Sequence, residues 1–333
     1  MTRLSVLDLS PIAEGSSAAQ SFKNSLSLAQ HAERCGFNRY WLAEHHGMPG
    51  IASAATAVLL SHVGSGTRSI RIGAGGIMLP NHSPLVVAEQ FGTLESLFPG
   101  RVDLGLGRAP GSDMQTARAL RRNLHADPDE FPQEVLELMD YFSEQPRNPV
   151  RAVPGQGLKV PVWILGSSLF GAQLAAALGL PFAFASHFAP AQMMDAIGIY
   201  RERFQPSAQL AKPYVMLGFN VFAADTESQA HLVASSAQQA FVNLRSGRPG
   251  RLPPPREGYL AQLGPQEQAI LRQLLYCAAI GTPEQVREQM QAFIAQTGAD
   301  ELMVAGQIFD HGARLRSYEI AAEAVRSLQL AEA

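Results

Sequence analysis

The chain has 333 residues with 26 basic against 29 acidic side chains, and the resulting charge of −3 offers no cationic field to a phosphate backbone, which sets nucleic acid aside as a partner. A hydrophobic share of 46% with 17% charged residues is a globular composition able to bury a large core, and no apolar run reaches the roughly 18 residues of a membrane span. Cys35 and Cys277 stand far apart and make neither a disulfide framework nor a thiolate metal site, so redox chemistry has to come from a cofactor.

In chain order, strands are predicted at Leu4–Leu9, Tyr40–Ala43, Ile70–Met78, Val102–Leu106, Val162–Leu165, Phe182–Ala185, Val215–Phe222 and Glu301–Val304. Between them fall helical patterns: Ala18–Arg34, Ser53–Val63, Leu85–Phe98, Gln133–Ser143, Leu169–Leu178, Ala191–Phe204, Glu227–Asn243 and Pro283–Gln296, with a last one at Leu315–Leu328. Eight alternating units mean parallel strands joined by crossovers, and predict an α/β fold, an eight-stranded parallel β/α (TIM) barrel, as one domain over 1–333. The N-terminus enters its first strand without a secretory signal pattern, which gives the expectation of a cytoplasmic protein.

Two segments are longer than a plain connection. Ala109–Phe131, after the fourth strand, is polar and interrupted by proline. Arg245–Tyr259, after the seventh, is dense in Gly, Pro and Arg and reads as a mobile flap over 245–259 or as an inert surface insertion. The helix Ile51–Val63 lacks the charged face of an outer barrel helix, which predicts burial against a second copy in a homodimer or under a neighbouring insertion.

Barrel chemistry sits where strands end, and four groups of residues fall there. Glu44-His45-His46 follows the second strand directly. Side chains alternate along a strand, so the two histidines should diverge, one to the pocket and one to the wall, which makes them a poor metal pair; no metal is expected. Gly73-Ala74-Gly75-Gly76 strips the third strand of side chains, either for a flat ligand or to fill a crowded barrel layer. Gly105-Leu106-Gly107-Arg108-Ala109-Pro110-Gly111 fails the dinucleotide fingerprint on its third glycine and on Pro110. It still presents Arg108, a guanidinium for phosphate or carboxylate, or for a surface ion pair. Gly166-Ser167-Ser168 with Gly171 opens a helix and lacks the lysine of a nucleotide-triphosphate loop. It forms an anion site of free N–H groups and hydroxyls, unless a serine simply caps the helix. The only lysines, Lys23, Lys159 and Lys212, lie in a helix or before strands, away from strand ends, which argues against imine chemistry. An imidazole, a glycine floor, an arginine and a phosphate cradle at one barrel mouth ask for a planar cofactor with a single phosphate.

These residues resemble the bacterial-luciferase-like flavin monooxygenases, most closely their single-chain subgroup. The resemblance is carried by Glu44-His45-His46, Gly73 to Pro80 with Glu89, Gly100-Arg101-Val102 through Gly107-Arg108, and Gly166-Ser167-Ser168 with Gly179-Leu180-Pro181. It spans most of residues 4 to 190 and continues in arrangement beyond them. It implies a barrel that binds reduced FMN, reacts it with O2 through a flavin C4a-hydroperoxide and oxygenates a small organic substrate. The same resemblance implies His45, with Glu44, as the catalytic pair near the flavin. Gly75 and Gly76 would lie beneath its ring, where the family often has a non-prolyl cis bond, and Glu89, Arg108, Ser167, Ser168 and Gly171 join them on the cofactor side. Ser167 stands where luciferase's phosphate site has a carboxylate, so the phosphate contacts are expected to be rearranged. Asp8, Ser10, His187 and Phe188 are further pocket candidates. A separate flavin reductase would supply the reduced FMN. The alternatives are a deazaflavin-dependent hydride-transfer oxidoreductase on the same fold, a flavin-binding protein without catalysis, and a metal-dependent barrel hydrolase, against which the adjacent histidines speak.

Overall fold

The barrel of the computed structural model, which describes residues 2–108, 114–120 and 130–331, closes through eight parallel strands. These are β1 (Arg3–Asp8), β2 (Arg39–Leu42), β3 (Arg71–Met78), β4 (Val102–Gly107), β5 (Val162–Gly166), β6 (Phe182–Phe184), β7 (Val215–Ala223) and β9 (Glu301–Ala305). Each pairs with the next, β7 pairs with β9, and β9 pairs with β1. A ninth strand, β8 (Ala278–Gly281), pairs in parallel with Asn220–Ala223 of β7 and lies outside the ring. The sequence pattern does not announce β8: of its four residues only Ile280 is β-branched, and its pairing partner is the overhang of a nine-residue strand.

The outer ring holds α1 (Ala18–Arg34), α2 (Thr56–Ser65), α3 (Pro84–Leu97), α4 (Met114–Leu120), α5 (Phe131–Tyr141), α6 (Leu169–Leu178), α7 (Met193–Arg203), α8 (Glu227–Arg245), α9 (Pro265–Tyr276), α10 (Pro283–Thr297) and α11 (His311–Ala331). Helix α1 begins where the Ser17 side chain accepts the Gln20 N–H, and α6 ends at Gly179, whose φ of 64° is left-handed and suits glycine. The helix expected from Ile51 starts instead at Thr56. Ile51 forms an antiparallel bridge to Pro11 and the Ser53 hydroxyl donates to the Ala43 carbonyl, so the apolar approach to the helix is tied down as loop. Of the polar insert expected over 109–131, residues 109–113 and 121–129 lie outside the described residues.

Period-two alternation divides every strand between two environments. Outward-facing Val6, Tyr40, Leu42, Ile72, Leu104, Ile164 and Leu217 are buried under the helices in the main core. Inward-facing residues fill the barrel in layers. At the strands' N-terminal ends, the Arg39 guanidinium lies 2.8 Å from Asp103 and 3.0 Å from Glu301, and Arg71 lies 2.6 Å from Asp103. Glu301 also accepts from Ser5, Asn38 and Tyr214. Above this layer come Leu7, Trp41, Trp163, Met216 and Met303, with the indoles edge-to-face at 5.1 Å. Towards the C-terminal ends the inward positions become small: Ala43, Gly75, Gly107, Ala183, Gly218 and Ala305. A barrel filled at one end and thinned at the other must have its space at the thin end.

Candidate functional site

That space is a cavity of about 800 Å³ at the C-terminal ends of the strands. Alternation decides what reaches it. Along β2, Trp41, Ala43 and His45 share the inward face and all three line the cavity, whereas Leu42 and Glu44 share the outward face. His45 thus faces the cavity and His46 turns away, as the divergence argument expects. The Glu44 carboxylate is buried behind the wall. Its Oε1 lies 2.7 Å from His46 Nε2 and 2.8 Å from His82 Nε2, and its Oε2 accepts the Met78 N–H at 3.1 Å. Burial alone would raise its pKa; the hydrogen bonds from His82, His46 and Met78 outweigh burial and hold it below the usual carboxylate range. The carboxylate therefore fastens the end of β2 to the turn after β3. Glu44, His46 and His82 also bring three potential metal-ligand atoms within 4.8 Å of one another, a grouping the adjacent histidines do not disclose because His82 comes from another loop.

The glycines of β3 separate by parity. Gly75 lines the cavity, and a Cβ there would lie 2.9 Å from Leu7 and Trp41. Gly76 follows a cis peptide bond at a register shift against β4, and a Cβ on it would stand 2.7 Å from the Gly105 carbonyl. Gly76 serves the contact between strands and does not line the cavity.

Arg108, Ser167, Ser168 and Gly171 all reach the cavity. The Arg108 guanidinium lies 4.2 Å from the centre of the Phe170 ring. Ser168 occupies the N-cap of α6 with extended backbone, yet its side chain makes no capping hydrogen bond. Ordinary capping therefore does not account for it, and the start of α6 lies at the mouth, where Ser167, Ser168, Phe170 and Gly171 line the cavity together with Arg108.

His187 and Phe188 stand at the exit of β6, Phe188 at the rim, with rings perpendicular at 5.0 Å. His187 Nδ1 is buried and has no hydrogen-bond partner among the described residues. Burial, with a smaller contribution from His45, lowers its pKa to about 4, so the imidazole is neutral at physiological pH. The ring fits because residue 218 is glycine: a Cβ there would lie 2.1 Å from His187 Nδ1.

The structure does not bring Asp8, Ser10 or Glu89 to the cavity. Asp8 has the outward parity of Leu4 and Val6. Its carboxylate accepts from Ser25, Tyr40 and the Ser10 N–H and pairs with Arg314 at 2.8 Å. Ser10, at a φ of 49°, belongs to the same buried network through Ser25. Glu89 is half-buried in the second turn of α3, in the outer ring. Inward parity also brings in residues that belong to none of the sequence motifs: Trp41, Met216, Asn220 and Gln307 line the cavity, and Arg314 does so from α11. Alternation counted from Leu7 or Trp41 was the available signal for the strand residues. Arg314 carries no such signal.

Segment 245–259 crosses this mouth. The Leu252 N–H donates to the Ile12 carbonyl and the Glu14 N–H to the Leu252 carbonyl, both at 2.9 Å, and Pro249, Gly250 and Leu252 face the cavity. A Cβ at Gly50 would lie 2.2 Å from the Gly250 carbonyl, so the loop after β2 passes directly under the segment.

A family model described as luciferase-like monooxygenase matches residues 2–301. A luciferase-like monooxygenase of Escherichia coli K12 is 55% identical over 325 residues, 97% of each chain. The N-acetyl-S-alkylcysteine monooxygenase of Bacillus subtilis is 32% identical, with 98% of each chain covered. Among solved structures, apo-MsnO8 superposes with a TM-score of 0.87 at 32% identity, covering 98% of this chain and 99% of its own. The fold alone is shared with the FMN-bound oxygenating constituent of 3,6-diketocamphane monooxygenase from Pseudomonas putida, at a TM-score of 0.71 and 17% identity over 97% of each chain. It is shared as well with an F420-dependent secondary alcohol dehydrogenase, at 0.69 and 15% over 98% of this chain and 99% of that one.

Proposed function

The chain belongs to the luciferase-like monooxygenase family, and we propose that it is an FMN-dependent monooxygenase that oxygenates a small organic substrate with O2, the reduced FMN being delivered by a separate flavin reductase. The observation that carries this reading is the pairing of Arg108 with the uncapped start of α6 at one side of a glycine-floored cavity that His45 faces. The residues fit a flavin mononucleotide. Arg108, Ser167, Ser168 and the first N–H groups of α6 offer charge and donors to one phosphate, and Gly171 lets the helix approach. Gly75 leaves a flat surface next to Trp41 and Leu7 for a planar ring system.

When bound, reduced FMN supplies the two electrons with which O2 is divided between substrate and water. His45 holds or transfers a proton at its imidazole on the cavity side. Glu44 is a positioning residue: through His46, His82 and Met78 it fixes the strand end from which His45 projects. Segment 245–259 acts as a flap that keeps water from the site. A homodimer would cover the apolar surface that α2 and α3 expose, where Val58 is 73% and Val86 44% accessible.

The test is anaerobic titration of the protein with reduced FMN and, separately, with reduced F420, followed by admission of air while absorbance is recorded. Binding of FMN with air reoxidation kinetics unlike those of free flavin is expected. The His45→Ala variant should bind FMN within about three-fold of the parent while its reoxidation kinetics change. Preference for F420, with no reaction in air, would turn the reading to hydride transfer.

A further inference from the structure

The charge around the cavity is one-sided. None of the described residues lining it is acidic, whereas Arg108, Arg245 and Arg314 all line it. Arg314 is neutralised by Asp8 at 2.8 Å. Arg108 and Arg245 have no carboxylate in ion-pair contact among the described residues, and each lies over an aromatic ring, Phe170 at 4.2 Å and Phe241 at 5.1 Å. His187 is neutral and adds no charge. The phosphate of a mononucleotide can be received at Arg108, and Arg245, exposed at the rim, then remains as a second cation without a carboxylate partner among the described residues.

The two cations occupy different places. Arg108 stands at the exit of β4 beside the start of α6. Arg245 is the last residue of α8, and one of its N–H groups reaches the Phe188 carbonyl at 3.4 Å, beyond the exit of β6. The wall beneath Arg245 is apolar, formed by Phe222, Ala237, Phe241, Leu244, Leu252 and Leu274. A guanidinium lying on an aromatic face keeps its edge donors available, and that edge matches a carboxylate in bidentate geometry. An apolar wall ending in such a cation is shaped for an amphiphilic anion.

We propose that the substrate is a small organic carboxylate whose apolar body lies against this wall and whose carboxylate is received by Arg245, which thereby sets specificity. This rests on the FMN reading, because there the phosphate takes Arg108. The other anion able to reach Arg245 is the oligoanionic tail of a deazaflavin.

The experiment uses the FMN-loaded protein and follows the flavin absorbance during titration with octanoate, octanol and octylamine. Octanoate is expected to perturb the spectrum saturably, with octanol and octylamine at least about ten-fold weaker. Arg245→Gln should raise the octanoate dissociation constant about ten-fold and leave that of FMN within two-fold, and Arg245→Lys should recover part of the loss. Equal binding of octanoate and octanol, or an unchanged octanoate constant in Arg245→Gln, overturns the proposal. So does a weakened FMN affinity in that variant, which would assign Arg245 to the cofactor phosphate. If the parent protein takes F420 and refuses FMN, the cofactor reading fails by itself. The same titrations on the F420-loaded protein then decide: weaker F420 binding in Arg245→Gln overturns the carboxylate assignment, and a selective loss of octanoate sustains it.

Discussion

At the N-terminal end of the barrel Arg39, Arg71, Asp103 and Glu301 form a closed ionic layer, and three further donors complete Glu301. At the C-terminal end Arg108 and Arg245 have no carboxylate partner among the described residues, the start of α6 is uncapped, and His187 Nδ1 is buried without a bond. The same strands supply both ends. A polar group that is buried and satisfied costs little and fixes packing, so the lower layer serves stability. A polar atom that is buried and unsatisfied, as His187 Nδ1 is, is retained against its cost, and an arginine without a carboxylate partner at a cavity mouth is open to an anionic ligand. In this barrel the end with unmade bonds is also the end that holds the cavity.

Substitutions should therefore separate stability at one end from binding at the other. The largest effect is expected from Asp103→Ala, which leaves Arg39 and Arg71 facing each other without their shared carboxylate. Denaturant unfolding should show a loss of about 3–5 kcal/mol, with FMN affinity in the folded fraction unchanged.

Next is the pH response of His187. Its folded pKa of about 4 lies below the ordinary imidazole value of 6.5, so between these values the unfolded chain binds a proton that the folded protein refuses. Stability should fall as pH drops through that window, by about 3 kcal/mol for the full shift, and the slope should be missing in His187→Gln. An identical slope in the variant would place the titration elsewhere.

Arg108→Gln should weaken FMN binding by about 1.5–3 kcal/mol, the usual range for a charged hydrogen bond, and leave the unfolding midpoint where it was. If stability fell and binding held, Arg108 would belong with the arginines of the lower layer.

The smallest effect compares two helix starts. Thr282 caps α10, its hydroxyl accepting the Gln285 N–H while its own N–H donates to the Gln285 side-chain oxygen, so Thr282→Ala should cost about 1 kcal/mol. Ser168 caps nothing in α6, so Ser168→Ala should change stability by less than about 0.5 kcal/mol while weakening FMN retention on a desalting column.

Much of the site could be read from local chemistry because a barrel mouth is assembled from strand ends. His45, Arg108, Ser167 and His187 each stand within a few residues of a predicted strand terminus, and the structure places all four on the cavity. Where the reading went astray, the cause is specific. Asp8 and Ser10 sit at a strand end too, but on the outward parity, and they belong to a buried network with Arg314. Glu89 belongs to an outer helix. Glu44 stands next to His45 and yet points the other way, towards a histidine 38 residues further on. Strand β8 was invisible because its pairing depends on how far β7 overhangs the ring.

The sequence by itself determined the alternation of strands and helices, and with it the parallel barrel. It also determined the glycines and alanines that thin the interior at one end, because periodicity and side-chain volume are local properties. Which charges meet is fixed by the closure of the ring and the packing of the helices on it. Asp8 with Arg314, Arg39 with Asp103 and Glu301, and Glu44 with His82 all join residues distant in the chain. The cations left over at the mouth are defined by those pairings, since an arginine is unpaired only with respect to what the closed ring brings beside it.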